Sequence, residues 1–138
     1  EVIRGARKVH DFLTIGAAAP LQEAAVTALD FPDEYYDGVR AFYTRQRELF
    51  LDYLKRSGLR YTEPQGAYYV MTDISPLGFK TDAEASDFFI KTIGVAGVAG
   101  SSFFREPEHR YLRFHFAKKD ETLHAAGERL LKVRDHLR

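Results

Sequence analysis

The run Tyr111–Ala117 constrains the fold more than any other stretch, because its apolar and polar residues alternate. In a β-strand the apolar side chains would share one face and the polar ones the other: Leu112, Phe114 and Phe116 against Arg113 and His115. Burying each of the three apolar side chains stabilises a fold by about 1.5–3 kcal/mol. The pattern therefore predicts a strand packed on a hydrophobic core, with an arginine on its opposite face.

Arg113 is the candidate functional residue of this strand. A guanidinium is a planar fork of donors that matches the geometry of a carboxylate or a phosphate. A strand backed by a core would hold such a fork in a fixed position. The pattern alone leaves a second interpretation open, in which Arg113 is an ordinary surface residue on a half-exposed strand.

Composition excludes several classes of protein. The 138 residues carry 20 basic and 20 acidic side chains, so no electrostatic footprint for nucleic acid is present. No apolar run approaches the roughly 20 residues of a membrane span, and no leader resembles a signal peptide. Cysteine is absent, and the five histidines lack the spacing of metal ligands. We expect a cytoplasmic protein with no metal and no nucleic-acid or membrane partner.

The predicted elements alternate between helices and short strands. The first residues lack a methionine and already have the periodicity of an amphipathic helix, which leaves two interpretations open: a domain cut from a longer chain, or a processed or omitted start. A long helix is predicted over 34–57, with Gly58 as its cap. Strands are predicted at 59–62, 67–74, 94–100 and 111–117, with Gly66 free to adopt positive φ in the turn between the first two. The expected fold is α/β, with a small mixed sheet of three to four strands covered by helices.

Several short motifs follow one another in a fixed order, and their joint order is more specific than any one of them. They are Pro64-Gln65-Gly66-Ala67-Tyr68-Tyr69, Asp73-Ile74-Ser75, Gly94-Val95-Ala96, Gly100-Ser101-Ser102-Phe103, Tyr111-Leu112-Arg113-Phe114 and Glu128-Arg129-Leu130. In this order the chain resembles the pyridoxal-phosphate-dependent aminotransferases of fold type I. The resemblance is strongest to the kynurenine and methionine transaminases.

The resemblance implies that the chain is the small C-terminal domain of such an enzyme. Residues 33–138 would form that domain, with the long linker helix at 34–57. Residues 1–32 would be helical connector segments that belong with a large domain outside this sequence. In the family the small domain closes over the bound substrate, and such closure excludes water from the site.

The resemblance also assigns two substrate-binding residues. Arg113 occupies the position at which the family binds the α-carboxylate of its substrate. Tyr68 matches an aromatic position close to the substrate, with core packing as its alternative role. No catalytic, cofactor-binding or metal-binding residue is expected within this chain.

Pyridoxal 5'-phosphate is the cofactor that the resemblance implies for the whole enzyme. Amino acids and 2-oxo acids would be its substrates, and a homodimer its usual assembly. The family's Schiff-base lysine lies in the large domain. No lysine of this chain has a similar setting: Lys8, Lys55, Lys80, Lys91, Lys118, Lys119 and Lys132. We therefore expect the chain alone to bind the cofactor weakly or not at all and to be inactive.

Two alternative functions remain open at this point. The chain could be a stand-alone amino-acid-binding or regulatory domain, in which Arg113 recognises a free amino acid without a cofactor. It could also be the small domain of a pyridoxal-phosphate-dependent β-lyase or decarboxylase. The mass of the native gene product would test the first alternative, and dependence of turnover on a 2-oxo acid would test the second.

Overall fold

The computed structural model describes residues 2–13, 16–106 and 108–137, apart from the side chain of Phe12. Within these ranges the helices are α1 (Val2–Leu13), α2 (Ala19–Leu29), α3 (Asp33–Ser57), α4 (Asp82–Phe88) and α5 (Asp120–Leu130). The strands are β1 (Arg60–Tyr61), β2 (Tyr69–Asp73), β3 (Val98–Ala99) and β4 (Tyr111–His115). Shorter helical turns occupy Ser75–Leu77, Phe89–Ile93, Gly100–Phe103 and Leu131–His136. No helix in the described ranges is both long and apolar enough to cross a bilayer.

The chain divides into two compact units, with the boundary between Gly38 and Val39. In the first unit the hydroxyl group of Tyr36 donates a hydrogen bond to the carbonyl oxygen of Ala28. The second unit contains the sheet and the hydrophobic core. The assignment of residues 1–32 to a domain outside this sequence stays a prediction.

The long helix α3 agrees with the predicted 34–57 to within one residue. Its first turn is acidic and its last turn is basic, and both charges suit the helix dipole. Gly58 follows the helix with a φ of +80°, the left-handed conformation that glycine adopts without a Cβ clash. The buried side chains of α3 lie in its C-terminal part: Gln46, Phe50, Leu51, Tyr53, Leu54 and Ser57. Val39 and Phe42, which lie earlier in the helix, are exposed.

The strands form one four-stranded sheet in the order β1-β2-β4-β3. Arg113 in β4 lies opposite Met71 of β2 and Val98 of β3, and it therefore occupies an internal strand. A mixed sheet was predicted, whereas every described pairing is antiparallel. The position of β4 explains the difference. Strands β2 and β3 run in the same direction with α4 between them in sequence, but β4 lies between them and runs opposite to both.

One face of β4 packs into the core, as its alternation predicts. The three apolar residues are exposed by only 0%, 3% and 1%: Leu112, Phe114 and Phe116. The ring centroid of Phe114 lies 6.1 Å from that of Phe50 in α3 and 5.6 Å from that of Phe89. Helical segments therefore cover this face, and Arg113 lies half-buried on the other.

Two loops differ from the predictions. In the turn before β2, positive φ occurs at Ala67, with a value of +55°, and not at Gly66. The strand predicted at 94–100 is reduced to the two residues of β3, which lies at the edge of the described sheet and pairs with β4. Val98 is consequently 50% exposed, and Val95 supplies the buried side chain of this stretch.

Candidate functional site

The side chain of Arg113 lies against two aromatic rings. Its guanidinium carbon Cζ is 4.1 Å from the ring centroid of Tyr69 and 3.7 Å from that of Phe103. Both distances are within the range in which a guanidinium is attracted to the face of an aromatic ring. The two rings come from different elements: Tyr69 begins β2, and Phe103 ends the turn that follows β3.

The donors of the Arg113 guanidinium are not used within the described part of the chain. No described carboxylate forms an ion pair with Arg113, and no described acceptor takes a hydrogen bond from it. Its contacts with Tyr69 and Phe103 are made by ring faces, which do not compete for the N–H groups as a carboxylate would. The site thus presents a half-buried fork of donors to a planar anion.

Tyr68 lies one step removed from the guanidinium. Its hydroxyl oxygen accepts a hydrogen bond from the hydroxyl group of Tyr69 at 3.0 Å, and its ring stacks on Tyr43 with 6.2 Å between centroids. This hydrogen bond with Tyr69 is the main cause that raises the pKa of Tyr68, and the positive charge of Arg113 opposes it. Tyr68 is 40% exposed, so its ring is not a core side chain.

Neither Tyr69 nor Phe103 was predicted to belong to the site. The sheet register offers a signal for Tyr69, because it pairs with His115 and is therefore a diagonal neighbour of Arg113. Phe103 has no such signal, because its position depends on the conformation of a turn. Of the two rings, Tyr69 can therefore be assigned to the site from the sequence, but only once the pairing of β2 with β4 is known.

A histidine lies near Arg113 on the same strand. His115 is two residues further along the same face of β4. Its pKa is lowered, mainly by burial and further by the positive charges of Lys118 and Arg113. Among the described residues, no group of histidine, aspartate and glutamate side chains could hold a metal ion.

Comparison with known proteins identifies the family. The sequence profile of aminotransferase class I and II matches residues 1–130. The methionine aminotransferase of Escherichia coli K12 is 34% identical over 128 residues, which cover 92% of this chain and 33% of that enzyme. A kynurenine–oxoglutarate transaminase of Dictyostelium discoideum is 25% identical over 155 residues, which cover 96% of this chain and 36% of that enzyme.

Comparison with solved structures finds the same family of enzymes. The crystal structure of the Escherichia coli methionine aminotransferase superposes with a TM-score of 0.75 at 34% identity, over 91% of this chain and 33% of that one. The N-succinyldiaminopimelate aminotransferase of Mycobacterium tuberculosis gives a TM-score of 0.76 at 29% identity, over 95% of this chain and 35% of that one.

A small α/β unit is thus the part of these enzymes that the chain matches. The chain belongs to the class I and II aminotransferase family, and it corresponds to the small C-terminal part of its relatives. It spans about a third of the length of the relatives described above. The motif-based resemblance to the methionine and kynurenine transaminases is confirmed by relatives of both kinds.

The lysines of this chain do not fit the cofactor that the family implies. A lysine that forms a Schiff base must react as a free amine, which enzymes favour by desolvation or neighbouring charge. Every lysine of the chain is instead solvent exposed. Lys91, for example, forms an ion pair with Asp87 at 2.6 Å on the surface of the helix. The described residues therefore offer no site for covalent attachment of pyridoxal phosphate.

Proposed function

We propose that the longer protein containing this chain is a pyridoxal-phosphate-dependent amino-acid transaminase, in which Arg113 binds the α-carboxylate of the amino-acid and 2-oxo-acid substrates. The proposal rests on the environment of the Arg113 guanidinium. Its guanidinium is half-buried on an internal strand, lies against two rings, and has no acidic partner among the described residues.

Carboxylate binding is the chemistry that this arrangement favours. Two parallel N–H···O bonds fix both the position and the plane of a carboxylate. Each hydrogen bond to a charged group contributes about 1.5–3 kcal/mol. Because a guanidinium held by its neighbours loses less freedom on binding, less of that free energy is offset by ordering. An amino acid and its 2-oxo acid both carry this carboxylate, so one arginine serves both substrates.

The part of the enzyme that attaches the cofactor would lie outside this chain. The exposure of all its lysines and the third of the relatives' length that it spans support this division. The chain would then contribute substrate binding and closure of the site, and it would be inactive alone. Tyr68 would contribute to the wall of the site through its hydroxyl contact with Tyr69.

Pyruvate, the simplest of these 2-oxo acids, provides a direct test on the 138-residue chain. Titration followed by NMR should move the Arg113 side-chain resonances, and methyl pyruvate, which lacks the carboxylate charge, should not. Arg113→Lys should weaken pyruvate binding by about tenfold or more, because a point charge does not reproduce the fork. Arg60→Lys is the matched control, since Arg60 is an exposed arginine that pairs with Asp73 at 3.3 Å.

Kinetics of the longer protein complete the test. Arg113→Lys should lower kcat/KM for amino acids by about 10- to 100-fold, the factor that corresponds to the loss of one charged hydrogen bond. Arg60→Lys should change it less than about twofold, as expected of an exposed ion pair. Unchanged kinetics and unchanged pyruvate binding in Arg113→Lys would remove Arg113 from the substrate site.

A further inference from the structure

Asp82 is a buried carboxylate whose two oxygens hold two different loops. Its side chain is 2% exposed. Oxygen Oδ2 accepts a hydrogen bond from the backbone N–H of Ser101 at 2.7 Å, and Oδ1 lies 2.7 Å from Nδ1 of His109. Asp82 begins α4, while Ser101 and His109 both lie in the stretch between β3 and β4.

Capping of α4 does not explain Asp82. The N-cap of this helix is Thr81, whose hydroxyl oxygen accepts a hydrogen bond from the backbone N–H of Glu84 at 3.2 Å. Glu84 in turn accepts from the backbone N–H of Lys80. Thr81 and Glu84 therefore form a capping box without Asp82, in which the bond from Glu84 returns to Lys80, one residue before the N-cap.

The turn that Asp82 holds carries one of the two rings on Arg113. Ser101 belongs to the turn Gly100–Phe103, and the ring centroid of Phe103 lies 3.7 Å from Cζ of Arg113. Phe103 is itself 45% exposed, so the core does not fix its ring. The backbone of its turn must therefore supply most of the constraint on its position.

The same turn is pressed against the start of β4. A β-carbon at Gly100 would lie 2.5 Å from the carbonyl oxygen of Tyr111, so only glycine fits there. The ring of Phe104 stacks on that of Tyr111, with 5.8 Å between centroids. Asp82 adds hydrogen bonds to these packing contacts, and it joins the turn Gly100–Phe103 to α4.

We propose that Asp82 is a positioning residue of the Arg113 site. By holding Ser101 and His109, it keeps the turn Gly100–Phe103 in the conformation that places Phe103 against the guanidinium. Arg113 is thereby held with its N–H groups directed to the carboxylate of the bound substrate. This role rests on the proposed function, because it concerns the orientation of the residue that would bind the substrate.

The charge state of Asp82 is consistent with this role. Burial alone would raise the pKa of its carboxyl group, but hydrogen bonds from His109 and from Ser101 outweigh burial and lower it to about 2. The group is therefore ionised at neutral pH. Hydrogen bonds to an ionised acceptor are shorter and stronger than neutral ones, so the turn is held firmly.

The test compares Asp82→Asn with Asp87→Asn in the 138-residue chain. The first substitution keeps the size of the side chain, but an asparagine cannot accept at both positions. Asp87 is an exposed carboxylate of the same helix and pairs with Lys91. The first readout is the ring-current shift of the Arg113 Cδ protons. Phe103→Leu defines the full loss of the Phe103 contribution. Asp82→Asn should lose at least half of that contribution, and Asp87→Asn none of it.

Pyruvate affinity is the second readout. Asp82→Asn and Phe103→Leu should each weaken pyruvate binding by about two- to fivefold, the factor that corresponds to one cation–π contact at an exposed site. If Arg113→Lys does not weaken pyruvate binding, the proposed function fails, and the ring-current shift alone then decides the positioning role. If Asp82→Asn leaves that shift where Asp87→Asn leaves it, the positioning role is overturned.

Hydrogen exchange of the unsubstituted chain keeps the proposal testable should Asp82→Asn fail to fold. The Ser101 amide lies in a short surface turn, so its protection would come from the Asp82 carboxylate. It should exchange at least about tenfold more slowly than the neighbouring Ser102 amide, a factor that corresponds to one charge-assisted hydrogen bond. Equal exchange of the two amides would overturn the proposal.

Discussion

Gly127 in α5 lies directly against the ring of Tyr53 in α3. A β-carbon at Gly127 would lie 2.2 Å from ring atoms Cγ and Cδ2 of Tyr53, a distance that no side chain tolerates. The Tyr53 ring cannot readily move aside, because its hydroxyl oxygen lies 3.0 Å from both Glu128 and His124. Glycine in the middle of this helix is therefore required for close packing of the two helices.

Gly127→Ala should destabilise the fold in spite of the better helix propensity of alanine. Overpacking of this kind costs about 1–3 kcal/mol, and the gain in propensity of about 1 kcal/mol offsets part of it. Gly38→Ala is the matched control, because Gly38 also lies within a helix and has open space around its Cα. Urea denaturation should show a lower free energy of unfolding for the first variant and an equal or higher one for the second.

Regular elements were predictable because their signals are local. The alternation in β4 and the cap after α3 depend on residues that are neighbours in sequence, and both are confirmed. The pairing of β4 between β2 and β3 was not predictable, because strand order depends on contacts between distant segments. The same difference applies to the candidate site. Arg113 could be predicted from the alternation in its own strand, whereas the position of Phe103 depends on the conformation of a turn.

The turn before β2 shows how a local rule can fail. Glycine is the usual residue at positive φ, yet here Gly66 is followed by Ala67 at +55°. Two hydrogen bonds flank this turn. The carbonyl oxygen of Tyr68 accepts one from the backbone N–H of Phe116, and the carbonyl oxygen of Pro64 accepts one from the guanidinium of Arg47. Contacts outside the turn thus fix both of its ends. The donors of these bonds are distant from the turn in sequence, so no local sequence pattern predicts the constraint.

Ala67→Gly should consequently stabilise the fold, or at least not destabilise it. A left-handed conformation costs a non-glycine residue about 1–2 kcal/mol, and glycine removes that cost while it adds some chain entropy to the unfolded state. Gly66→Ala should be tolerated, because nothing lies within 4 Å of a β-carbon there. Thermal unfolding of both variants provides the measurement. A large loss of stability in Gly66→Ala would indicate that positive φ belongs to Gly66 after all.

Asp82 should make stability depend on pH in the acid range. Its pKa is about 2 in the folded chain against an ordinary value of 3.8. The folded state therefore binds the proton less tightly than the unfolded state. This contribution, about 2 kcal/mol, is fully present above about pH 4 and is lost as the pH falls towards about 2.

Unfolding of the unsubstituted chain and of Asp82→Asn should be compared between about pH 5 and about pH 2, the window that spans both pKa values. The free energy of unfolding of Asp82→Asn should be lower at the upper end of this window and should fall less steeply on acidification. Asp87→Asn controls for the loss of one negative charge on the same helix. Parallel curves for Asp82→Asn and the unsubstituted chain would show that the buried carboxylate contributes no linkage.

His115 should report whether Arg113 has bound a carboxylate. Its pKa is lowered mainly by burial, and the positive charges of Lys118 and Arg113 lower it further. A carboxylate on the guanidinium would offset one of those charges, so saturating pyruvate should raise the pKa of His115. Arg113→Gln should raise it without pyruvate and abolish the response to pyruvate. Lys118→Gln should also raise it but keep the response. NMR titration of the His115 ring protons gives the measurement, and a response to pyruvate that survives in Arg113→Gln would place the carboxylate elsewhere.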